Sequence, residues 1–190
     1  FKADVAVKNG KISAIGTNLK PEPGTEVVDA KGKLVLPGAI DGHTHMAMPF
    51  GGTISTDDYF TGTRAAACGG TTTIINFETQ PVGKKMSEFL EEKLELAESQ
   101  GPAVDYSIHM GVGDVTTQAM LDDMEKVVDM GVTSFKVFMV YDFGVTDGVF
   151  YKVLEYSKEI GAQIGVHAEN NEMVNMLVEK YISEGKTDAW

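Results

Sequence analysis

The sequence predicts an α/β fold of alternating strands and helices, with a small all-β unit ahead of it. Three observations carry this. From Gly38 onward, five short apolar runs alternate with segments whose apolar residues recur at three- and four-residue spacing. Glycines stand where most of the helical patterns end. Before Gly38 the pattern is two-residue alternation broken by turn pairs.

Residues Val5 to Ile15 alternate around Asn9-Gly10, a pair that tolerates positive φ and predicts a β-hairpin. Val27-Val28, Lys31-Gly32-Lys33 and Leu34-Val35-Leu36 predict a second hairpin. Residues 1–37 thus form a β unit with too few strands to stand alone. Residues 38–190 form the alternating region. Its first strand is Ala39–His45. A helix capped by Thr56 or Asp57 runs to Ala67 and closes at Gly69-Gly70. Strand Thr71–Phe77 follows, then a helix from Ser87 carrying Phe89, Leu90, Leu94, Leu96 and Ala97. Strand Ala103–Met110 precedes a helix over Thr116–Met130, with Met120, Leu121, Met124, Val127 and Val128 on one face. Strand Val132–Val140 precedes a helix over Asp147–Ile160, and strand Ala162–His167 precedes a last helix from Asn170 or Asn171 carrying Met173, Val174, Leu177 and Tyr181. The helical methionines read as core filler.

Five strand–helix units imply a parallel sheet covered by helices. It can close as an open doubly wound sheet or as a (β/α)8 barrel. No Gly-x-Gly-x-x-Gly follows any strand, so the dinucleotide-binding version has no support. A barrel needs eight strands and roughly 250 residues, so five units would be part of a longer protein.

Composition narrows the function. The chain has 190 residues, 43% hydrophobic and 23% charged, as a globular domain does. A net charge of −12 argues against nucleic acid or an anionic membrane as partner. No apolar run approaches the ~20 residues of a membrane helix. The single cysteine, Cys68, excludes an intrachain disulfide and fits a reducing cytoplasm. It lies among Ala65, Ala66 and Ala67 and reads as a small buried hydrophobe. The opening Phe1-Lys2-Ala3-Asp4 has no basic-then-apolar leader, and its abrupt entry into a strand points to a start upstream.

The chemistry gathers at strand ends. In Gly38-Ala39-Ile40-Asp41-Gly42-His43-Thr44-His45 two histidines stand one residue apart at the end of a strand. Residues i and i+2 of a strand share a face, so His43 and His45 present two imidazoles side by side, half of a tetrahedral metal shell. Standing alone, a His-x-His is ordinary; the ends of the other strands raise its weight. These hold Asn76-Phe77-Glu78, His109, Lys136 and His167-Ala168-Glu169. His109 reads as a hydrogen-bonded core histidine or a support to a ligand. Lys136 lies in an apolar stretch, Phe135 to Tyr141. Its tip can snorkel or pair with a carboxylate. Alternatively, desolvation favours a neutral amine, which can react with carbon dioxide to give a carbamate able to bridge two metal ions.

Several runs together resemble the cyclic-amide amidohydrolases, above all the dihydropyrimidinases and bacterial D-hydantoinases. They are Asp41-Gly42-His43-Thr44-His45 with Met48-Pro49-Phe50-Gly51-Gly52, Thr61-Gly62-Thr63-Arg64-Ala65-Ala66-Ala67, Gly69-Gly70-Thr71-Thr72, Ser134-Phe135-Lys136-Val137-Phe138-Met139-Val140-Tyr141, and Val166-His167-Ala168-Glu169-Asn170. The resemblance covers essentially the whole chain. It implies a (β/α)8 TIM barrel and a β-sandwich to which residues 1–37 contribute. It implies two divalent ions, zinc above all, with His43 and His45 on one, carboxylated Lys136 bridging, and His167 on the other. Tyr141 would hydrogen-bond the substrate carbonyl, and the ring would open to an N-carbamoyl amino acid. The resemblance also implies a homotetramer. The family's remaining histidine and its aspartate lie on later strands, so these 190 residues alone are expected to be inactive.

Ala47 stands where many hydantoinases carry an acidic residue and where dihydroorotases carry a substrate-binding arginine. Its small apolar side chain favours an uncharged hydantoin or dihydropyrimidine over a carboxylated ring. Allantoinase is the other enzymatic alternative. The non-enzymatic one is a dihydropyrimidinase-related scaffold protein, which lacks metal ligands.

Overall fold

A computed structural model describes residues 2–188 of the chain. It divides into two compact units at Pro37/Gly38.

In the first unit, β1 (Asp4–Lys8) and β2 (Lys11–Gly16) form an antiparallel hairpin. Asn9 and Gly10 take φ of +54° and +71°, the two left-handed positions that the tight turn requires. Asp4 accepts a hydrogen bond from the Leu19 backbone at 3.0 Å and ties down the following chain. The second predicted hairpin does not form. Its turn is present, with Lys33 N–H donating to the Ala30 carbonyl at 3.0 Å, but no ladder joins residues 25–29 to 34–38. Val27, Val28, Leu34, Val35 and Leu36 are exposed, so no burial rewards the pairing of so short a ribbon.

The second unit holds β3 (Ala39–Thr44), a small hairpin of β4 (Pro49–Phe50) and β5 (Thr53–Ile54), then α1 (Tyr59–Cys68) and β6 (Thr71–Thr79). There follow α2 (Met86–Gln100), β7 (Asp105–Gly111), α3 (Gln118–Asp129), β8 (Ser134–Phe138), α4 (Asp147–Glu159), β9 (Gln163–His167) and α5 (Asn171–Ser183). The main sheet is parallel throughout, in the order β3-β6-β7-β8-β9. Each strand lies beside the next in the chain, with no reversal. A doubly wound sheet turns back on itself at a switch point, whereas a barrel wall runs on in one direction.

The core lies between this sheet and its helices. Met86, Phe89 and Leu90 of α2 pack with Ile108 and Met110 of β7, Leu121, Met124 and Val127 of α3, Phe135 and Val137 of β8, and Val153 of α4. Of the helical methionines, Met86 and Met124 fill core gaps as expected, but Met173 and Met176 are exposed on α5, which buries no residue fully.

Most boundaries fall within two residues of the reading from sequence. The cap of α1 is Asp58 rather than Thr56 or Asp57, because Asp58 makes a reciprocal box with Thr61. Thr117, Thr146 and Asn170 cap α3, α4 and α5, each side chain accepting an N–H of the first turn. The α2 helix starts before Ser87, because Asp123 of α3 supplies the missing cap: it accepts from Ser87 N–H and Oγ, both at 2.9 Å. The β8 strand is shorter than predicted. Val132 is drawn into the exit of α3 by its bond to the Val127 carbonyl, and Val140 enters a turn at Tyr141.

Cys68 is exposed, contrary to the sequence reading. The buried stripe of α1 is Tyr59, Gly62 and Thr63, with Ala66 half-buried. Cys68 lies half a helical turn round from Tyr59, on the solvent side. Among the described residues no helix is long and apolar enough to cross a membrane.

Candidate metal centre

Strand alternation divides the sheet into two faces. In β8, Phe135 and Val137 enter the core beneath the helices, so Ser134, Lys136 and Phe138 face the other way. In β6, Asn76 and Glu78 meet the helices, and Phe77 faces the other way. The face turned from the helices gathers every predicted site residue near the C-terminal ends of its strands.

Phe77 is one centre of this face. His43, His45 and His109 lie around it, with ring centroids 4.4, 5.6 and 4.7 Å from its own. The two imidazoles of His43 and His45 are 5.2 Å apart, edge to face. The strand that carries them is irregular: Asp41 pairs with Ile74 and Thr44 with Asn76, so three steps on β3 match two on β6. Such a bulge re-aims side chains at a sheet end. Asp41 stabilises it by accepting the His43 N–H at 3.1 Å.

Phe138 is the second centre. His167 stacks on it at 5.8 Å, and β9 pairs these two residues directly. Tyr141 lies 6.1 Å from Phe138 and 5.9 Å from His167. Its φ of +74° is a strained left-handed backbone for a tyrosine, of the kind found at functional sites. An open cleft of about 800 Å³ adjoins it, bounded in part by Gly144, Thr146, Glu169 and Asn170.

Lys136 connects the two centres. Its Nζ is 5.7 Å from the Phe77 ring and 5.6 Å from the Phe138 ring. It takes part in none of the ion pairs among the described residues, so the carboxylate partner that the sequence allowed does not form among them. His167 Nε2 faces Glu169 Oε1 at 2.5 Å.

The electrostatics keep two of the imidazoles neutral. Partial burial pushes the His45 pKa below 6.5, and His43 and Lys136 push it the same way. Burial also lowers His109, against the Gly42 backbone, and His43 and Lys136 add to the lowering. A neutral ring nitrogen keeps the lone pair that a metal takes. His109 Nδ1 bonds to Ser134 Oγ on the neighbouring strand, which makes it the hydrogen-bonded histidine of the sequence reading. Among the described residues no three His, Cys, Asp or Glu side chains form a metal site by themselves. The donor set that fits an ion includes Lys136, whose amine is a ligand only after modification.

One part of the site was not read from the sequence. Behind His43 and His45, on the helix side, lies a buried polar network of Thr44, Tyr59, Asn76, Glu78 and Lys93. Its signal was available: Lys93 interrupts the apolar stripe Met86, Phe89, Leu90, Ala97 of α2, and Asn76 and Glu78 are polar at alternate positions of an otherwise buried strand.

The amidohydrolase family profile matches residues 34–188, most of the chain, including every one of these side chains. The chain belongs to the amidohydrolase family. Among amidohydrolases, a D-hydantoinase of Geobacillus stearothermophilus is 44% identical over 99% of this chain and 40% of its own length. A dihydropyrimidinase of Dictyostelium discoideum is 42% identical over 98% of this chain and 37% of its own. The crystal structure of a dihydropyrimidinase from Brevibacillus agri superposes with a TM-score of 0.93 at 41% identity, over 99% of this chain and 41% of that one. The chain thus spans about two fifths of these amidohydrolases, and its parallel sheet is five βα units of their barrel fold.

Proposed function

We propose that the protein to which this chain belongs is a metal-dependent hydrolase that opens the ring of hydantoins or dihydropyrimidines to N-carbamoyl amino acids. The observation that carries the proposal is the position of Lys136. It sits between the Phe77 group, with His43 and His45, and the Phe138 group, with His167 and Tyr141, on the sheet face where amidohydrolase chemistry belongs.

In this reading His43 and His45 would hold one divalent ion, His167 would hold the other, and Lys136, once carboxylated, would be shared between them. Two such ions, zinc by the preference of imidazole donors, would supply a hydroxide at neutral pH and polarise the ring amide. The protein's own groups do the rest. His109 braces the end of β7 through Ser134 and keeps a neutral ring beside the pair. Tyr141 donates its phenolic O–H to the carbonyl oxygen as that oxygen gains charge, support worth ~2.7–4 kcal/mol per donor at an oxyanion. Its strained backbone presets the phenol at the rim of the cleft. Ala47 leaves the ring no cationic partner near the histidine pair, which suits an uncharged substrate. The remaining ligands lie outside these residues, so the piece alone is inactive. The β-hairpin unit belongs to a sandwich domain, and the whole enzyme is a cytoplasmic homotetramer.

The test is ring opening of hydantoin and dihydrouracil by the complete polypeptide, with Tyr141→Phe alongside. Turnover of either ring, with kcat reduced about 100-fold or more in Tyr141→Phe, is expected. A metal-loaded protein that opens neither ring contradicts the proposal and favours another cyclic amidohydrolase such as an allantoinase, whereas one that takes up no metal and opens neither ring favours the scaffold reading.

A further inference from the structure

We infer that Asn76, locked in orientation by Glu78, Tyr59 and Lys93, is the positioning residue that sets the His43–His45 turn for metal binding. The inference rests on the metal centre proposed above.

The side chain of Asn76 is fully buried, and all its hydrogen-bonding capacity is used. Its Oδ1 accepts the Met46 N–H at 2.7 Å and the Thr44 hydroxyl at 3.2 Å. Thr44 lies between the two histidines, and Met46 directly follows the second. The amide therefore grips the chain on both sides of His45, from the sheet face opposite to the imidazoles. Thr44 also donates to the Ile75 carbonyl at 3.2 Å, which doubles the tie to β6.

An amide can rotate by half a turn and exchange its oxygen for its nitrogen. Here it cannot. Its Nδ2 donates to Glu78 Oε1 at 3.0 Å and to the Tyr59 hydroxyl at 2.9 Å. An ionised carboxylate accepts only, so the NH2 must face Glu78 and the oxygen must face Met46. Tyr59 completes the circuit by donating to the same Glu78 oxygen at 3.4 Å. Glu78 is only 2% exposed, and its other oxygen pairs with Lys93 of α2 at 2.9 Å. Apolar residues of the same volume often pack as stably as a buried ion pair. What they cannot supply is direction. Lys93 favours the charged form of Glu78 through their 2.9 Å pair, Glu78 fixes the amide, and the amide fixes the turn that carries the ligands. Groups that orient metal ligands in this way commonly change metal affinity by about 10- to 100-fold.

The experiment loads the complete polypeptide with zinc and follows transfer of the metal to a chelator, with circular dichroism and melting temperature measured on each sample. Asn76→Asp sets a second carboxylate against Glu78 and should release zinc at least about 10-fold faster. Glu78→Gln frees the amide to rotate and should also release zinc faster than the parent. The double variant Asn76→Asp/Glu78→Gln moves the charge by one side chain. Its carboxylate accepts from both Met46 N–H and the new amide, so retention should return to near that of the parent. A folded Asn76→Asp that keeps the parent rate overturns the inference, as does a double variant that releases zinc as fast as the single variants. If Asn76→Asp does not fold, the double variant is compared with Glu78→Gln. Slower release by the double variant is then expected, and equal or faster release overturns the inference. A parent that takes up no metal overturns the centre itself, and this role with it. A metal-holding parent whose variants are unmoved overturns only the positioning role.

Discussion

Replacing Lys93 by methionine removes a charge and keeps most of the apolar stem. In the parent, burial raises the pKa of Glu78 above 4.5, while Lys93, Tyr59 and Asn76 pull it back. Without Lys93 the strongest counterweight is gone, and the carboxylate, 2% exposed, escapes by taking a proton. That escape limits the damage. From 4.5 to pH 7 is two and a half pH units, and at about 1.36 kcal/mol per unit the proton costs about 3.4 kcal/mol. At pH 5 the same proton costs only about 0.7 kcal/mol, since half a unit separates it from 4.5. The sign follows from linkage. A native pKa raised above the unfolded value contributes stability below the unfolded pKa and loses it as pH rises toward the native one. The raised pKa is higher in Lys93→Met than in the parent, so the variant's deficit widens with pH. Urea denaturation of the two proteins at pH 5 and pH 7, followed by circular dichroism, should give a small deficit at pH 5 and a larger one at pH 7, with about 3.4 kcal/mol as the ceiling, because the parent's own raised pKa already carries part of that cost. A deficit equal at the two pH values would refute the assignment of Glu78 and Lys93 as a buried, mutually dependent pair.

Two more perturbations probe the backbone around the site. A Cβ at Gly144 would lie 2.7 Å from the Val140 carbonyl oxygen, so Gly144→Ala must shift the turn that carries Tyr141. Ring opening should slow about 10- to 100-fold with metal content unchanged, and full activity would separate Tyr141 from this turn. Ala47 adopts φ of +49° immediately beyond the histidine pair. Asparagine tolerates this conformation better, so Ala47→Asn should raise stability by about 0.5 kcal/mol, part of the roughly 1–2 kcal/mol that left-handed backbone costs. A lower urea midpoint would show that φ does not govern that position.

The sequence made the strand–helix rhythm legible through apolar spacing on α2 and α3, the glycines that follow the helices and the cap at Asn170, while the cap of α1 was read one or two residues early. It misled where the signal needed a partner. Val27-Val28 and Leu34-Val35-Leu36 have strand propensity, but nothing they bury against holds them in a ladder. Cys68 lies in an alanine run that says nothing about which side of α1 faces the sheet. The chemistry was readable because His43 and His45 flank the last residue of β3, His167 closes β9, and Lys136 is a lone charge in the apolar run of β8. The network that supports it was not assembled from sequence, since Tyr59 of α1, Asn76 and Glu78 of β6 and Lys93 of α2 come from three elements that only the fold brings together. Asn76 and Lys93 are separated by a loop and half a helix, yet both reach Glu78 at about hydrogen-bond distance.

Metal content is the most direct test of the central claim. The complete polypeptide, purified without chelator and analysed for bound elements, should carry about two equivalents of zinc or a similar divalent metal per chain, and Lys136→Ala should lose it. A parent that stays metal-free after zinc and bicarbonate are supplied, or a Lys136→Ala variant that keeps both equivalents, would contradict the bridged centre.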